Sequence, residues 1–276
     1  MCDTVLRRLP DLAAWCFRCD TCGTWAADLP VAINQDASPI DEGTRERGLR
    51  HLRRRTSRQV LERIQRAGPP GRLLLDIGSA HGWFTRAASS AGFDAIGLEP
   101  DEAVARDSVA PTRVGYFPDA LQEAERFAVV TFNDVLEHME DPRQVVTACR
   151  DHLGPRGLLS VNIPSSEGLL FRGAVAARRR GRATELFGRL WQEGLPSPHL
   201  WYFNKEQLTR LCTDEGFDLV DTGRLPGMTW RGLWSRAHMD RRPTVQTTAG
   251  VAVGALTAPV LNRGGDIMHL VFRTRG

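Results

Sequence analysis

The chain has 276 residues, 42% of them hydrophobic, and a formal net charge of +3. That length fits one α/β domain with appendages or two small domains, and the composition can fill a core. The near-balanced charge leaves no electrostatic footprint for nucleic acid, and the longest apolar run, residues 249–261, is shorter than the ~20 residues a membrane helix needs. Residues 1–28 lack the basic start and sustained apolar core of a signal peptide. The chain therefore reads as soluble and cytoplasmic, and its six cysteines as metal ligands or buried thiols rather than disulfides.

Residues 1–40 form a Cys-rich segment. Cys16, Cys19 and Cys22 stand at two-residue gaps, with Cys2 upstream and Gly23 next in line. Cys19-x-x-Cys22-Gly23 has the shape of a zinc knuckle, in which glycine permits the turn that points both sulfurs at one ion. Two readings stand: a structural zinc on Cys16, Cys19 and Cys22, completed by Cys2 or a non-cysteine group, or a metal-free remnant. Residues 41–71 are mostly helical, with Leu49, Leu52, Val60, Leu61, Ile64 and Ala67 at helical spacing and Gly68-Pro-Pro-Gly71 as the stop. Arg53, Arg54, Arg55 and Arg58 lie opposite that stripe, as a solvated face or as a contact for an anionic substrate group.

Next comes Leu73-Leu-Leu-Asp76-Ile-Gly78-Ser-Ala80-His-Gly82, followed by Phe84, Ala87, Ala88 and Ala91 at helical spacing and Gly92 as the stop. The pattern is a buried strand, a tight turn of small residues and an amphipathic helix. Such a turn lets a ligand approach the backbone, and the helix start aims N–H groups at the same place. A second strand, Phe93 to Glu99, ends in an acid before Pro100 and a helix cap at Asp101. Residues 112–116 and Phe127–Asn133 read as further strands. Asp141 with Pro142 opens a helix carrying Val145, Val146, Cys149 and Leu153 inward. Residues 157–164 are a strand, and Asn204 with Gln207 forms a capping box for the next helix. Residues 217–225 and 266–273 read as the last two strands.

The stretch Asp76-x-Gly78-x-Ala80-x-Gly82 resembles the first motif of class I S-adenosylmethionine-dependent methyltransferases, with Ala80 where the family usually has glycine. Dinucleotide-binding folds space their glycines as G-x-G-x-x-G, which this stretch does not. Asn133-Asp-Val-Leu-Glu137-His138-x-x-Asp141-Pro142 is similar to the family's segment after the fourth strand, as found in ubiquinone-biosynthesis O-methyltransferases. Pro198-His199-x-x-x-Phe203-Asn204 resembles the family segment before its last long helix. The resemblance covers roughly residues 41–276 and implies a Rossmann-like α/β fold: a seven-stranded, mostly parallel sheet with helices on both faces. It also implies S-adenosylmethionine as cofactor, along Asp76, Gly78, Ala80, Gly82, Pro100 and Asn133. Glu99 would bind both ribose hydroxyls, and Phe117 and Asp119 would flank the adenine. His138 and His199 are the candidate bases for a hydroxyl acceptor. Asp134, Glu137 and His138 match the spacing of a divalent-metal segment in the ubiquinone-pathway enzymes. The Cys-rich segment looks like part of the N-terminal zinc ribbon that many relatives carry.

Residues 165–198 form a basic insertion, with Arg172, Arg178, Arg179, Arg180, Arg182 and Arg189 among Leu169, Leu170, Phe171, Phe187, Leu190 and Trp191. It reads as a helical lid. The alternatives are recognition of an anionic substrate and peripheral contact with a membrane for a lipid-linked one. The expected acceptor is a small biosynthetic metabolite, O-methylated in preference to N- or C-methylated, with no nucleic-acid partner, and with the chain a monomer or homodimer. A non-catalytic scaffold that kept the fold and a zinc-knuckle nucleic-acid-binding protein are the rival classes. Trp230, Trp234 and the run 249–261 would cover the sheet, dimerise or touch membrane.

Overall fold

A computed structural model describes residues 5–33, 42–182, 184–226 and 266–275, with backbone only for 42–51 and 184. Cys2, Trp230, Trp234 and the run 249–261 lie outside the described residues. The chain begins with a ribbon of three short strands: β1 (Leu6–Arg8), β2 (Cys16–Cys19) and β3 (Trp25–Ala27). Helix α1 (Glu42–Arg66) leads to β4 (Leu73–Ile77), α2 (Trp83–Ser90), β5 (Asp94–Glu99), α3 (Glu102–Arg106) and β6 (Thr112–Val114). Then follow β7 (Phe127–Asn133), a 3-10 turn (Leu136–His138), α4 (Pro142–His152) and β8 (Leu153–Pro164). The basic insertion holds α5 (Leu169–Arg179) and α6 (Thr184–Leu190). The chain closes with β9 (Trp201–Tyr202), α7 (Lys205–Asp214), β10 (Phe217–Leu225) and β11 (Ile267–Thr274).

Among the described residues, seven strands form one sheet in the order β10-β11-β8-β7-β4-β5-β6. Strands β8, β7, β4, β5 and β6 pair in parallel, and β11 runs antiparallel between β8 and β10. Because strand side chains alternate between faces, each strand feeds two cores. Leu75, Ile77, Val130, Phe132, Leu159 and Val161 pack under α4 and α7, whose Val146, Cys149, Leu208 and Cys212 face them. Leu74, Val129, Leu158 and Val271 face the other way, against Val60, Leu61 and Ile64 of α1 and Phe84 and Ala88 of α2. Each such side chain, fully buried, contributes about 1.5–3 kcal/mol from apolar area removed from water.

Local capping chemistry sets the helix starts. Asp101 accepts from the N–H groups of Ala103 and Val104 at 2.9 and 3.0 Å. Asp141 accepts from those of Arg143 and Gln144 at 3.0 and 3.1 Å, with Pro142 as first helical residue. Asn204 and Gln207 exchange both bonds of a capping box at 2.8 Å. Each cap is worth about 1 kcal/mol.

The ribbon is built onto the rest of the chain. Strand β3 pairs with β9, Trp25 opposite Tyr202, giving a second sheet in the order β1-β2-β3-β9. Leu9, Leu12, Cys16 and Trp25 of the ribbon share a third core with Phe171, Phe187, Trp191 and Tyr202. The Arg178 Nε donates to the Leu12 carbonyl at 2.5 Å, and Gln207 donates to the Cys22 carbonyl at 2.5 Å.

This corrects one expectation. Cys16 and Cys19 are three residues apart on one strand, which places them on opposite faces. Cys16 is fully buried in the aromatic core, and burial pushes its thiol up to about 12. It does not join Cys19 and Cys22 as a third ligand. Those two remain together, with the Cys22 N–H directed at the Cys19 Sγ at 3.4 Å.

Candidate active site

The site lies at the carboxyl ends of β4, β5 and β7. The chain passes from β4 to β5 on one side and later returns to β7 on the other, opening the crevice where ligands bind such sheets. Asp76 closes β4. It is buried, and its carboxylate accepts from Thr85 of α2 and from Thr131 and Asn133 of β7, each at 2.9 Å. Burial outweighs these three donors and raises its pKa to about 6. Asp76 therefore ties strand, helix and neighbouring strand together beneath the turn.

The turn itself runs through left-handed backbone. Gly78, Ala80 and Gly82 have φ of 64°, 46° and 74°. A Cβ on Gly78 would lie 2.6 Å from Val135 Cγ2, so only glycine fits there. Ala80 occupies the same region at a cost of about 1–2 kcal/mol. Its N–H donates to Glu99 Oε2 at 2.8 Å, so the strained residue is pinned from β5. Among the described residues no side chain caps α2 at Gly82, the condition in which a helix start takes an anionic ligand group. The second oxygen of Glu99 accepts from the Asp101 N–H at 3.1 Å. Each carboxylate oxygen has a second lone pair, so Glu99 keeps two acceptor positions for a diol. Burial raises its pKa. The turn, the uncapped helix and this doubly accepting acid suit the amino-acid and ribose parts of S-adenosylmethionine.

The opposite wall comes from the 3-10 turn and the segment before β9. Glu137 is completely buried, and neither of its side-chain oxygens has a hydrogen-bond partner among the described residues. Burial first, and Asp134 second, push its carboxyl well above the usual range. The His138 Nδ1 lies 2.8 Å from the Pro198 carbonyl oxygen. A carbonyl only accepts, so Nδ1 donates there and Nε2 is the acceptor nitrogen of the neutral ring. The rings of His138 and His199 meet edge to face at 4.7 Å, and His199 Nε2 is 3.9 Å from Glu137 Oε1.

One cavity of about 730 Å³ joins both walls. Asp76, Gly78, Ala80, Glu99, Pro100 and Phe117 line it, as do Asn133, Glu137, His138 and His199. Gly82 lies behind the lining as the start of α2. Asp119, expected beside the adenine, is exposed and does not line the cavity; Tyr116 lines it instead. The expected metal set changes as well. Among the described residues, the acidic and histidine groups close enough to share an ion are Glu137, His138 and His199, with ligand atoms within 4.8 Å of one another. Asp134 instead accepts from the Asn162 amide at 3.3 Å. Gln192 and Tyr202, absent from the sequence-based expectation, both contact His199.

A largely parallel sheet with a glycine turn at its switch point and a buried acid on the next strand defines the class I S-adenosylmethionine-dependent methyltransferase fold. A family model described as a methyltransferase domain matches residues 49–222, more than half of the chain. The chain belongs to this family. A ubiquinone biosynthesis O-methyltransferase from Hahella chejuensis is 36% identical over 95 residues, covering 31% of this chain and 40% of that protein. One of the same description from Cereibacter sphaeroides is 29% identical over 194 residues, covering 66% of this chain and 74% of that protein. The chain thus spans well under two thirds of the first relative and about three quarters of the second. Among solved structures, a cyclopropane synthase from Mycobacterium tuberculosis superposes with a TM-score of 0.55 at 18% identity, covering 87% of this chain and 90% of the other. At that identity the likeness concerns the fold alone.

Proposed function

We propose that the chain methylates a hydroxyl of a small biosynthetic metabolite, with His199 as general base. The observation that carries this is the convergence of His199, His138 and Glu137 on the cavity that Asp76 and Glu99 also line. When bound, S-adenosylmethionine supplies a methyl already activated on positive sulfur. The protein's task is then to align the acceptor and exclude water. Glu99 binds the ribose, and the turn from Asp76 to Gly82 holds the amino-acid end. The Nε2 of His199 takes the proton that the acceptor oxygen gives up once the acceptor hydroxyl replaces the Gln192 amide at that lone pair, and His138 is the second candidate for that role. The similarity to ubiquinone biosynthesis O-methyltransferases supports a quinone-like phenolic acceptor. Arg53 and Arg189 at the cavity wall support an anionic group on it. The enzyme would work in the cytoplasm as a monomer or homodimer. Single-turnover rates with catechols and phenolic acids test the base role: a large drop in His199→Ala is expected, and unchanged rates in both His199→Ala and His138→Ala refute it.

A second reading follows from the orphaned carboxylate. The ligand atoms of two imidazoles and one carboxylate lie within 4.8 Å of one another, and among the described residues no donor reaches the Glu137 oxygens. Such a cluster is stable with a proton on Glu137 or with a divalent cation shared by Glu137, His138 and His199. Calorimetric titration with Mg²⁺, Mn²⁺ and Zn²⁺ tests it. Binding lost in His199→Ala while S-adenosylmethionine still binds supports the ion; heat-silent titrations refute it. Cys19 and Cys22 are proposed as a zinc pair in the ribbon, and metal analysis after gentle purification checks that.

A further inference from the structure

The tautomer of His199 is set by the hydrogens around it. Tyr202 has one hydroxyl hydrogen. Its oxygen lies 2.8 Å from the carbonyl oxygen of Leu190, a group that only accepts, so the hydrogen is spent there. The same oxygen lies 3.2 Å from His199 Nδ1. With its hydrogen committed, the hydroxyl oxygen can only accept, and Nδ1 must carry the imidazole hydrogen. The other nitrogen, Nε2, then bears the lone pair. It lies 2.8 Å from the side-chain amide nitrogen of Gln192, a donor. Two independent contacts therefore select the same tautomer.

The backbone supports both contacts. Gln192 has φ of 54°, left-handed backbone disfavoured for glutamine and held where the surrounding structure requires it. The His199 N–H donates to the Trp191 carbonyl at 2.9 Å. Residues 190, 191 and 192, at the end of α6, thus each make one bond to His199 or Tyr202. Tyr202 is in turn held from the ribbon side by pairing with Trp25, and its ring lies 4.4 Å from that of Phe171 and 4.8 Å from that of Trp191.

We propose that Tyr202 and Gln192 are positioning residues that hold His199 with its hydrogen on Nδ1 and its lone pair on Nε2. This rests on the reading of His199 as the base, with Nε2 the nitrogen 3.9 Å from Glu137 Oε1. It also gives the ribbon and lid a catalytic consequence. Seating α6 and β3 places the Tyr202 hydroxyl and the Gln192 amide, and those two fix which nitrogen of His199 accepts a proton.

Long-range ¹H–¹⁵N correlation on the uniformly labelled full chain reads imidazole tautomers directly. His199 is assigned as the signal set lost in His199→Gln. The expected result is an Nδ1–H pattern in the wild type at a pH where the ring is neutral. Tyr202→Phe removes only the hydroxyl and leaves the Gln192 donor at Nε2, so alone it should keep His199 mainly in the Nδ1–H form. Gln192→Glu, which replaces the donor by an acceptor at Nε2, should move at least half of the His199 population to Nε2–H, and Gln192→Glu combined with Tyr202→Phe should complete the shift. A wild type already in the Nε2–H form, or a Gln192→Glu variant that keeps the wild-type Nδ1–H pattern, would overturn the proposal. Because the spectrum does not depend on turnover, failure of the base reading stays distinct: the tautomer would shift as described while His199→Ala kept the wild-type rate.

Discussion

Replacing Glu99 tests the cofactor site most sharply. Its two oxygens hold the N–H groups of Ala80 and Asp101 at 2.8 and 3.1 Å. One remaining lone pair on each oxygen would serve the two ribose hydroxyls. Glu99→Ala removes both charge-assisted bonds to the ligand, at about 1.5–3 kcal/mol each, so binding should weaken by roughly 10²–10⁴-fold. Glu99→Gln keeps one acceptor oxygen and turns an amide donor toward one of the two backbone donors, so a loss of about 10–150-fold is expected. The assay is isothermal titration with S-adenosylmethionine and S-adenosylhomocysteine. The ribose is common to both, so the two ligands should lose affinity by the same factor. A 2′-deoxy analogue completes a double-mutant cycle, in which Glu99→Gln should cost less toward the analogue than toward the parent ligand. A Glu99→Ala protein that unfolds at the wild-type denaturant midpoint and binds within threefold of wild type would refute the ribose assignment.

The left-handed turn predicts opposite effects at neighbouring positions. Ala80→Gly relieves its φ of 46° and should be neutral or stabilising by up to about 1 kcal/mol, with ligand affinity kept. Gly78→Ala drives a methyl to 2.6 Å from Val135 and should abolish ligand binding. Urea unfolding and titration calorimetry check both. Two buried groups oppose each other in pH. Asp76, raised from 3.8 to about 6, binds a proton in the folded state first, so it adds stability that is lost as pH rises through about 6. Burial lowers His269 from 6.5 to about 3, so its stabilisation is present above 6.5 and is lost as pH falls. Between pH 4 and 6 the slopes cancel in the wild type; Asp76→Asn should steepen the acid loss over that range by about 3 kcal/mol, and parallel stability curves would contradict it. Trp191→Ala empties the core shared by the ribbon and the basic insertion and should cost about 3–5 kcal/mol in urea unfolding; a cost below about 1 kcal/mol would mean that core is not what seats the insertion.

The features legible in the sequence are those whose physics is local. A cap needs only a side chain and the N–H groups two or three residues on, so Asp101, Asp141 with Pro142, and Asn204 with Gln207 announced three helix starts that the structure contains. Strands buried on both faces read as apolar runs, and the spacing of small residues from Gly78 to Gly82 marked the ligand turn. Tertiary structure alone decided what depends on distant partners. Asp76 draws two of its three donors from β7, more than fifty residues away, so its burial without a charged partner has no local signature. Asp119 follows Phe117 closely, yet the turn after β6 sends it to solvent. Cys16 belongs to a hydrophobic core rather than a metal set because strand geometry sends it to the face opposite Cys19. Glu137 and His138 meet His199 across some sixty residues, and the pair in contact with His199, Gln192 and Tyr202, comes from the basic insertion and from the strand that completes the N-terminal ribbon. Sequence spacing carries no information about such meetings, because the chain between the partners is free to take any path until packing selects one.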